Sequence, residues 1–388
     1  MKKEIFVLSF VRMLTAAGYV ISIPFLNIFL YNERGIPMKI IGFYITIASL
    51  IGAFSRIYSG RLIYKFSSIL IMNVGLIFRL FAFFIFFILV LFNSPVYLFF
   101  FAFVLNSVGF SFYGTGSDTY VGEKIIERER PKAYGIIRIG ANIGWGLGPV
   151  FGGFLSNISY PLLFLIGTFL ALISFIINFS FIKDKKFKDD PKKETYFLKE
   201  ILKDKNFLKF LIGSFLIFFV VGQLVSSLPV FARYKGLNNL KVGYLFSVNG
   251  LMVVFLQYLI SYFITKMKNK SGIILGSFLY FIGYLSFSWA NSLTSFMIGV
   301  IIFTIGEMIT LPLITTITTI IAPPEKKGMY IGILGFAEGI GWAIAPLIGG
   351  FLIDMFIEKP LLLWLATSSF AIFSILFYLR VKGMDGKN

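Results

Sequence analysis

Twelve apolar segments, each about as long as the 20 residues that a helix needs to cross a bilayer, run through the chain. They lack the alternation of apolar and polar residues that a membrane β-barrel requires. Because backbone polar groups in lipid must be satisfied internally, helices are the remaining way to span it. The pattern therefore predicts an all-α membrane protein with twelve transmembrane helices.

Composition supports this interpretation, since 57% of the residues are hydrophobic and only 14% are charged. Soluble domains carry about 25% charged residues. We expect membrane spans near residues 5–31, 37–62, 69–92, 96–121, 133–156, 161–182, 207–232, 241–265, 272–290, 294–321, 328–353 and 360–380.

The chain has no cysteine and no histidine. Disulfides, thiol chemistry and histidine metal sites are therefore excluded, and any proton coupling must use carboxylates. A membrane enzyme would need a cluster of acids or a nucleophile with its base, and the sequence shows neither. We expect no enzymatic activity, no metal and no cofactor.

The net charge of +18 has two interpretations, nucleic-acid binding or orientation in a membrane. Lysine and arginine concentrate in alternate loops, on the side that would hold both termini. This asymmetry is the positive-inside pattern, so we expect a multi-pass protein of the cell membrane with both termini in the cytoplasm. Nucleic acid is not an expected partner.

One long polar stretch, residues 183–206, divides the chain into an N-terminal bundle of six spans, 1–182, and a C-terminal bundle, 207–388. Part of this basic linker could form an amphipathic helix on the membrane surface. The halves also repeat: GIIRIGANIGWGLGPVFGGFL at 135–155 matches GILGFAEGIGWAIAPLIGGFL at 332–352. Two similar halves in parallel orientation are typical of transporters with a site between the repeats.

With these features the chain resembles the major facilitator superfamily over its whole length. Gly60 to Lys65 stands where that family has a cytoplasmic loop motif, although the family's acidic position is Tyr64 here. The glycine motif of span 5 resembles that of the family's drug:proton antiporters and recurs in span 11. Its positions are Gly135, Gly144, Gly148, Pro149, Gly152 and Gly153, then Gly332, Gly341, Pro346, Gly349 and Gly350. The resemblance implies two pseudo-symmetric bundles, a monomer, and exchange of protons for a small-molecule substrate.

The glycine spacing also has a physical interpretation of its own. Glycines three, four and nine residues apart lie near one helix face, where they let two helices approach closely in the bilayer. Such a smooth contact suits helices that slide or rock, and it equally suits tight static packing. The sequence leaves both interpretations open.

Ionisable residues within membrane spans are functional candidates, because each costs about 3 kcal/mol to insert at the centre of a span. Glu307 lies in the middle of span 10, on one face with Thr304, and is the first candidate for proton coupling. Glu338 in span 11 is the second, and Asp118 near the inner end of span 4 is a third. For each carboxylate, pairing with a neighbouring helix is the structural alternative.

Asp118 lies at about the same depth as Arg12, Arg56 and Arg138. We expect an ion-pair network of these residues, with Arg61 nearby, that helps to close an inner gate. Arg79 lies deep in span 3 and faces either the core of the N-terminal bundle or a cavity, where a substrate anion could be its partner. Further candidates for lining a cavity are Tyr19, Asn27, Asn106, Tyr113, Gln223, Asn249 and Thr304.

The leading hypothesis is a proton-coupled antiporter that exports small amphipathic or hydrophobic compounds by alternating access. The alternative is an importer or facilitator of a small metabolite on the same fold. A sensor that transports nothing is a third class, but intact glycine motifs in both halves disfavour it.

Overall fold

The computed structural model describes residues 3–125, 130–183, 203–323 and 327–385. Twelve long α-helices account for most of this part of the chain. They are α1 Lys3–Ile28, α2 Met38–Lys65, α3 Ser68–Leu91, α4 Val96–Lys124, α5 Arg130–Ile158, α6 Tyr160–Phe181, α7 Lys205–Tyr234, α8 Asn239–Ile264, α9 Asn269–Ser286, α10 Leu293–Ile321, α11 Lys327–Phe356 and α12 Pro360–Leu379. The predicted all-α fold is confirmed.

Several helix boundaries have local chemical causes. The side chain of Ser67 accepts a hydrogen bond from the Leu70 amide at the start of α3, and Asp204 caps α7 in the same way. Such caps satisfy amides that have no partner within the helix. Gly35 and Gly236 have φ of 62° and 87° in the loops after α1 and α7, a conformation that favours glycine.

The predicted spans and the observed helices agree within a few residues. Several helices extend beyond the apolar run into polar residues, as α2 and α4 do at Lys65 and Lys124. A basic residue is favourable there, because the C-terminal end of a helix carries partial negative charge. The predicted surface helix of the linker falls mostly within 184–202, outside the described residues.

Eleven of the described helices are long and apolar enough to cross a membrane. The twelfth is α5, in which glycine takes the place of larger apolar residues. This helix stabilises the fold through close contacts with its neighbours rather than through a large apolar surface.

By packing, the described chain divides into two compact units. The first holds α1–α6 and also Gly236–Val254, which includes the first part of α8. The second holds α7 and the chain from Phe255 onward. The division into 1–182 and 207–388, six spans each, remains a proposal about which two parts of the chain move during transport.

Within each unit the helices pair in the same order. In the first unit α1 packs on α5 and α6, and α3 packs on α4 and α6. In the second, α7 packs on α11 and α12, and α9 packs on α10 and α12. The internal repeat that the sequence shows in spans 5 and 11 therefore extends to the pairing of whole helices.

One face of α5 is a stripe of glycines against α1. A Cβ added to Gly144 would lie 2.5 Å from the carbonyl oxygen of Met13, and one added to Gly152 would lie 2.6 Å from that of Ile21. Gly148 meets Val20, and Gly140, which the motif does not include, meets the backbone of Ser9. The four glycines follow one another at intervals of four residues, so they lie along one side of the helix.

The other residues of the motif use a second face of α5. Gly153 approaches the backbone of Asn239, and the carbonyl of Pro149 lies against Gly243, both in the first part of α8. A Cβ added to Gly135 or to Gly332 would meet no atom of another described helix within 4 Å. The prediction that the motif glycines share one face is therefore wrong, because the motif combines two faces with an open position.

These contacts predict opposite effects for two alanine substitutions in α5. Gly144→Ala should lower stability by about 1–3 kcal/mol, because its new methyl group meets backbone that cannot move aside. Gly135→Ala should be neutral or stabilising by up to about 1 kcal/mol, since alanine favours helix and the site is open. Thermal unfolding of both variants in one detergent tests this, and equal melting temperatures would contradict the contact.

Candidate functional site

Arg79 of α3 is the most deeply buried charge in the N-terminal unit, with 2% of its surface exposed. Its Nη2 atom donates to the carbonyl oxygen of Thr15 in α1 at 2.9 Å, while Nε has no partner. The stem of Arg79 lies on Gly109 of α4, where an added Cβ would be 2.8 Å from its Cγ. The glycine therefore makes the space that brings the guanidinium between α1 and α4.

Arg12 of α1 lies close to this group. Its guanidinium carbon is 5.6 Å from the centre of the Phe110 ring and 5.5 Å from that of Tyr113. The guanidinium of Arg79 also approaches Phe110, at 5.9 Å. Cation–π contacts of this kind offset part of the cost of desolvation. The two guanidiniums are near enough to repel each other.

Two polar groups of α4 have no partner. The hydroxyl of Tyr113, whose ring contacts Arg12, is buried and forms no hydrogen bond, and the same is true of the Oδ1 atom of Asn106. An unsatisfied buried group of this kind costs about 1–3 kcal/mol. Tyr19 is half-buried, with its ring 6.2 Å from that of Trp145 in α5. Tyr19 and Tyr113, predicted separately, therefore lie near the two arginines in the N-terminal unit.

The predicted network around Asp118 is reduced to one ion pair. Arg56 Nη2 lies 3.2 Å from Asp118 Oδ2, and Tyr134 donates to the backbone carbonyl of Asp118. Arg12 instead faces aromatic rings, and Arg61 and Arg138 are exposed without an ion pair in the described part of the chain. The expected four-residue cluster is therefore wrong. The side chains of the remaining pair are 56% and 49% exposed, so solvent screens the attraction.

Glu307 of α10 is half-buried in the C-terminal unit. It interacts electrostatically with the hydroxyl groups of Tyr280 and Tyr284, two buried residues of α9. Tyr280 and Tyr284 are four residues apart and therefore lie on one face. Thr304, expected on the same polar stripe, is fully buried and donates to the Val300 carbonyl of its own helix. Glu338 of α11 lies on an exposed position.

Glu307 and Arg79 flank equivalent helix crossings in the two units. Gly75 of α3 contacts Gly109 of α4, and Gly276 of α9 contacts Gly306 of α10 in the same way.

The residue after the second glycine is Phe110 in the first unit and Glu307 in the second. The residue four positions after the first glycine is Arg79 in one and Tyr280 in the other. The same crossing thus carries a cation with an aromatic ring in one unit, and an acid with an aromatic ring in the other.

Gln223 of α7, a candidate for lining a cavity, is fully buried between helices. Its Nε2 atom donates to the Ala345 carbonyl of α11 at 3.0 Å, and its Oε1 atom accepts from Ser227 at 2.5 Å. The side chain also packs on Gly349. Gln223 therefore ties α7 to α11, at the position that corresponds to the α1–α5 contact. Asn27 and Asn249 are buried as well.

The sequence does not single out three aromatic residues next to the charged groups, namely Phe110, Tyr280 and Tyr284. In a chain with 49 phenylalanines and 19 tyrosines, each of them looks like an ordinary apolar or interfacial residue. The spacing of four residues between Gly140 and Gly144, and between Tyr280 and Tyr284, was the available signal. Without the rotation of each helix, that signal does not identify the neighbouring helix.

Two repeated units of membrane-spanning helices, each with charged groups inside it, define a membrane transporter. A family model for the Major Facilitator Superfamily matches residues 8–346. The chain belongs to this family of transporters, which are not enzymes.

The names of its relatives indicate different substrates, or none. The uncharacterized MFS-type transporter YqjV of Bacillus subtilis is 26% identical, over 86% of this chain and 82% of its own. The multidrug resistance protein MdtH of Proteus mirabilis is 21% identical, over 92% and 89%. A Na(+), Li(+), K(+)/H(+) antiporter of Planococcus maritimus is 23% identical, over 84% and 83%.

The solved structure of the nucleoside transporter NupG superposes with a TM-score of 0.78 at 12% identity, over 98% of this chain and 99% of that one. At this identity the likeness shows the fold alone.

The position of Gln223 predicts that its main effect is on stability. Gln223→Leu should lower the melting temperature in detergent, by an amount equivalent to about 1–3 kcal/mol, because it leaves the Ala345 carbonyl and the Ser227 hydroxyl without their partner. Gln257→Leu is the matched control, since Gln257 is only half-buried and donates to one carbonyl of another helix, that of Met308. A loss of ligand affinity in Gln223→Leu without a loss of stability would contradict a structural role.

Proposed function

We propose that the protein is a proton-coupled antiporter that exports small amphipathic or hydrophobic compounds by alternating access. The observation that carries the proposal is Glu307, a half-buried carboxylate in the middle of a membrane span, beside two buried tyrosines. A carboxylate that binds a proton loses the cost of burying its charge. If that cost differs between two conformations, protonation shifts the balance between them.

The glycine helix α5 supports the idea of a moving part. On its α1 face Gly140, Gly144 and Gly152 meet backbone oxygens, and its contact with the first part of α8 also brings backbone against backbone. Smooth surfaces of this kind can slide by small amounts without repacking large side chains. In the proposal, residues 1–182 and 207–388 reorient relative to each other during transport.

The direction of transport and the coupling ion rest on likeness. The glycine motif resembles that of drug:proton antiporters, and one relative is named for multidrug resistance and another for exchange with protons. We place the protein in the cell membrane with both termini in the cytoplasm, because the basic residues concentrate on that side. The monomer in this proposal rests on the resemblance to the family. Glu338 is the second carboxylate that could take part.

The proposal predicts that Glu307→Gln separates transport from proton coupling. A substrate is first identified by a thermal-shift screen of the purified protein against dyes, antibiotics, sugars and amino acids. In proteoliposomes the variant should retain substrate counterflow, because glutamine imitates the protonated acid and the carrier can still reorient. Export driven by a pH gradient should be lost, since the side chain can no longer carry a proton.

Glu358→Gln is the matched control, because Glu358 is an exposed acid in the turn after α11. It should export as the wild type does. Full gradient-driven export by Glu307→Gln would remove Glu307 from the mechanism. Uptake of substrate together with protons would favour an importer, the alternative function.

A further inference from the structure

Arg12 and Arg79, the two neighbouring arginines of the N-terminal unit, have no acidic partner in the described part of the chain. Arg56 pairs with Asp118, and neither Arg12 nor Arg79 forms an ion pair with an acid among the described residues. The Nη1 atom of Arg12 and the Nε atom of Arg79 are buried and have no hydrogen-bond acceptor. Two cations with unused donors therefore lie together inside a membrane protein.

Aromatic rings and one carbonyl oxygen satisfy these cations only in part. Phe110 lies beside both guanidiniums, and Arg79 donates to Thr15. None of these partners carries a negative charge. Guanidinium groups bind carboxylates and phosphates through paired N–H donors. An oxyanion would therefore supply the negatively charged acceptor that neither arginine has within the described protein.

One edge of this place lies at the surface of the N-terminal unit, while Arg79 and Tyr113 are buried behind it. The ring of Phe110 is 50% exposed, and Arg12 and Tyr19 are half-buried. The hydroxyl of Tyr113, which has no partner, adds a further donor at the same position. The rings of Phe110, Tyr19 and Trp145 give the surroundings an aromatic character that suits an apolar body next to the anionic group.

We infer that Arg79 and Arg12, with Tyr113, bind an oxyanion of the transported compound, a carboxylate or a phosphate attached to an aromatic or other apolar body. This inference deepens the proposed function by naming the class of substrate. It concerns binding alone and does not depend on proton coupling through Glu307.

The test uses the purified full-length protein and four probes that share one ring: benzoate, phenyl phosphate, benzamide and benzylamine. At constant ionic strength, isothermal calorimetry and thermal shift should show binding of one or both anions. The neutral amide and the cationic amine should bind more weakly by about tenfold or more, as expected for the loss of charged hydrogen bonds. Benzoate against phenyl phosphate distinguishes the two oxyanions.

Arg12→Gln and Arg79→Gln should each weaken anion binding by about tenfold and leave binding of benzamide unchanged. Arg34→Gln is the matched control, because Arg34 contacts Asn93 and Ser94 in an outer loop and should leave every affinity unchanged. Arg79→Gln could fail to fold, since it loses its bond to Thr15. The Arg12 side chain forms no hydrogen bond between helices in the described chain. Arg12→Gln should therefore fold, and its anion affinity decides the test.

Equal binding of all four probes, or unchanged anion binding in Arg12→Gln, would overturn the inference. The two proposals fail separately. Anion binding without export driven by a pH gradient would leave this inference standing and remove the proposed function. Glu307-dependent export of cations alone, with no anion binding, would do the reverse.

Discussion

The contact between α5 and α1 is the constraint on which the N-terminal unit depends. Lipid provides little hydrophobic force between helices, so association rests on close packing of their surfaces. Gly140, Gly144, Gly148 and Gly152 allow the backbones of the two helices to touch. A side chain at any of these positions would separate the helices, and the contacts of α1 with its other neighbours would change as well.

The charged groups depend on that contact. With α1 held against α5, the Thr15 carbonyl accepts from Arg79 of α3, and Arg12 reaches the rings of Phe110 and Tyr113 in α4. In the second unit the corresponding contact of α7 with α11 includes Gly341 and Gly349, but Ala345 replaces one glycine and the Gln223 carboxamide bonds across it. The same geometry is therefore held by backbone contact in one unit and partly by hydrogen bonds in the other.

The sequence predicts the helices well, because hydropathy and helix length follow from the bilayer itself. It does not predict the rotation of each helix, which depends on the shapes of neighbouring surfaces. For this reason the sequence groups Gly135 with glycines that pack, makes Gln223 a cavity candidate and pairs Arg12 with Asp118, and the structure shows different surroundings for all three. In each case the missing quantity is the direction in which the side chain points.

The equivalent crossings of α3 with α4 and of α9 with α10 show how the two repeats have diverged. Arg79 stands where the second unit has Tyr280, and Phe110 stands where it has Glu307. An arginine stays charged throughout the physiological pH range, whereas a carboxylate can be neutralised by one proton. In the proposed mechanism the first unit thus keeps a constant attraction for an anion, and the second changes its charge with the proton gradient. Because the two crossings share one geometry, the proposed division of binding and coupling between the halves requires only a few substitutions at matched positions.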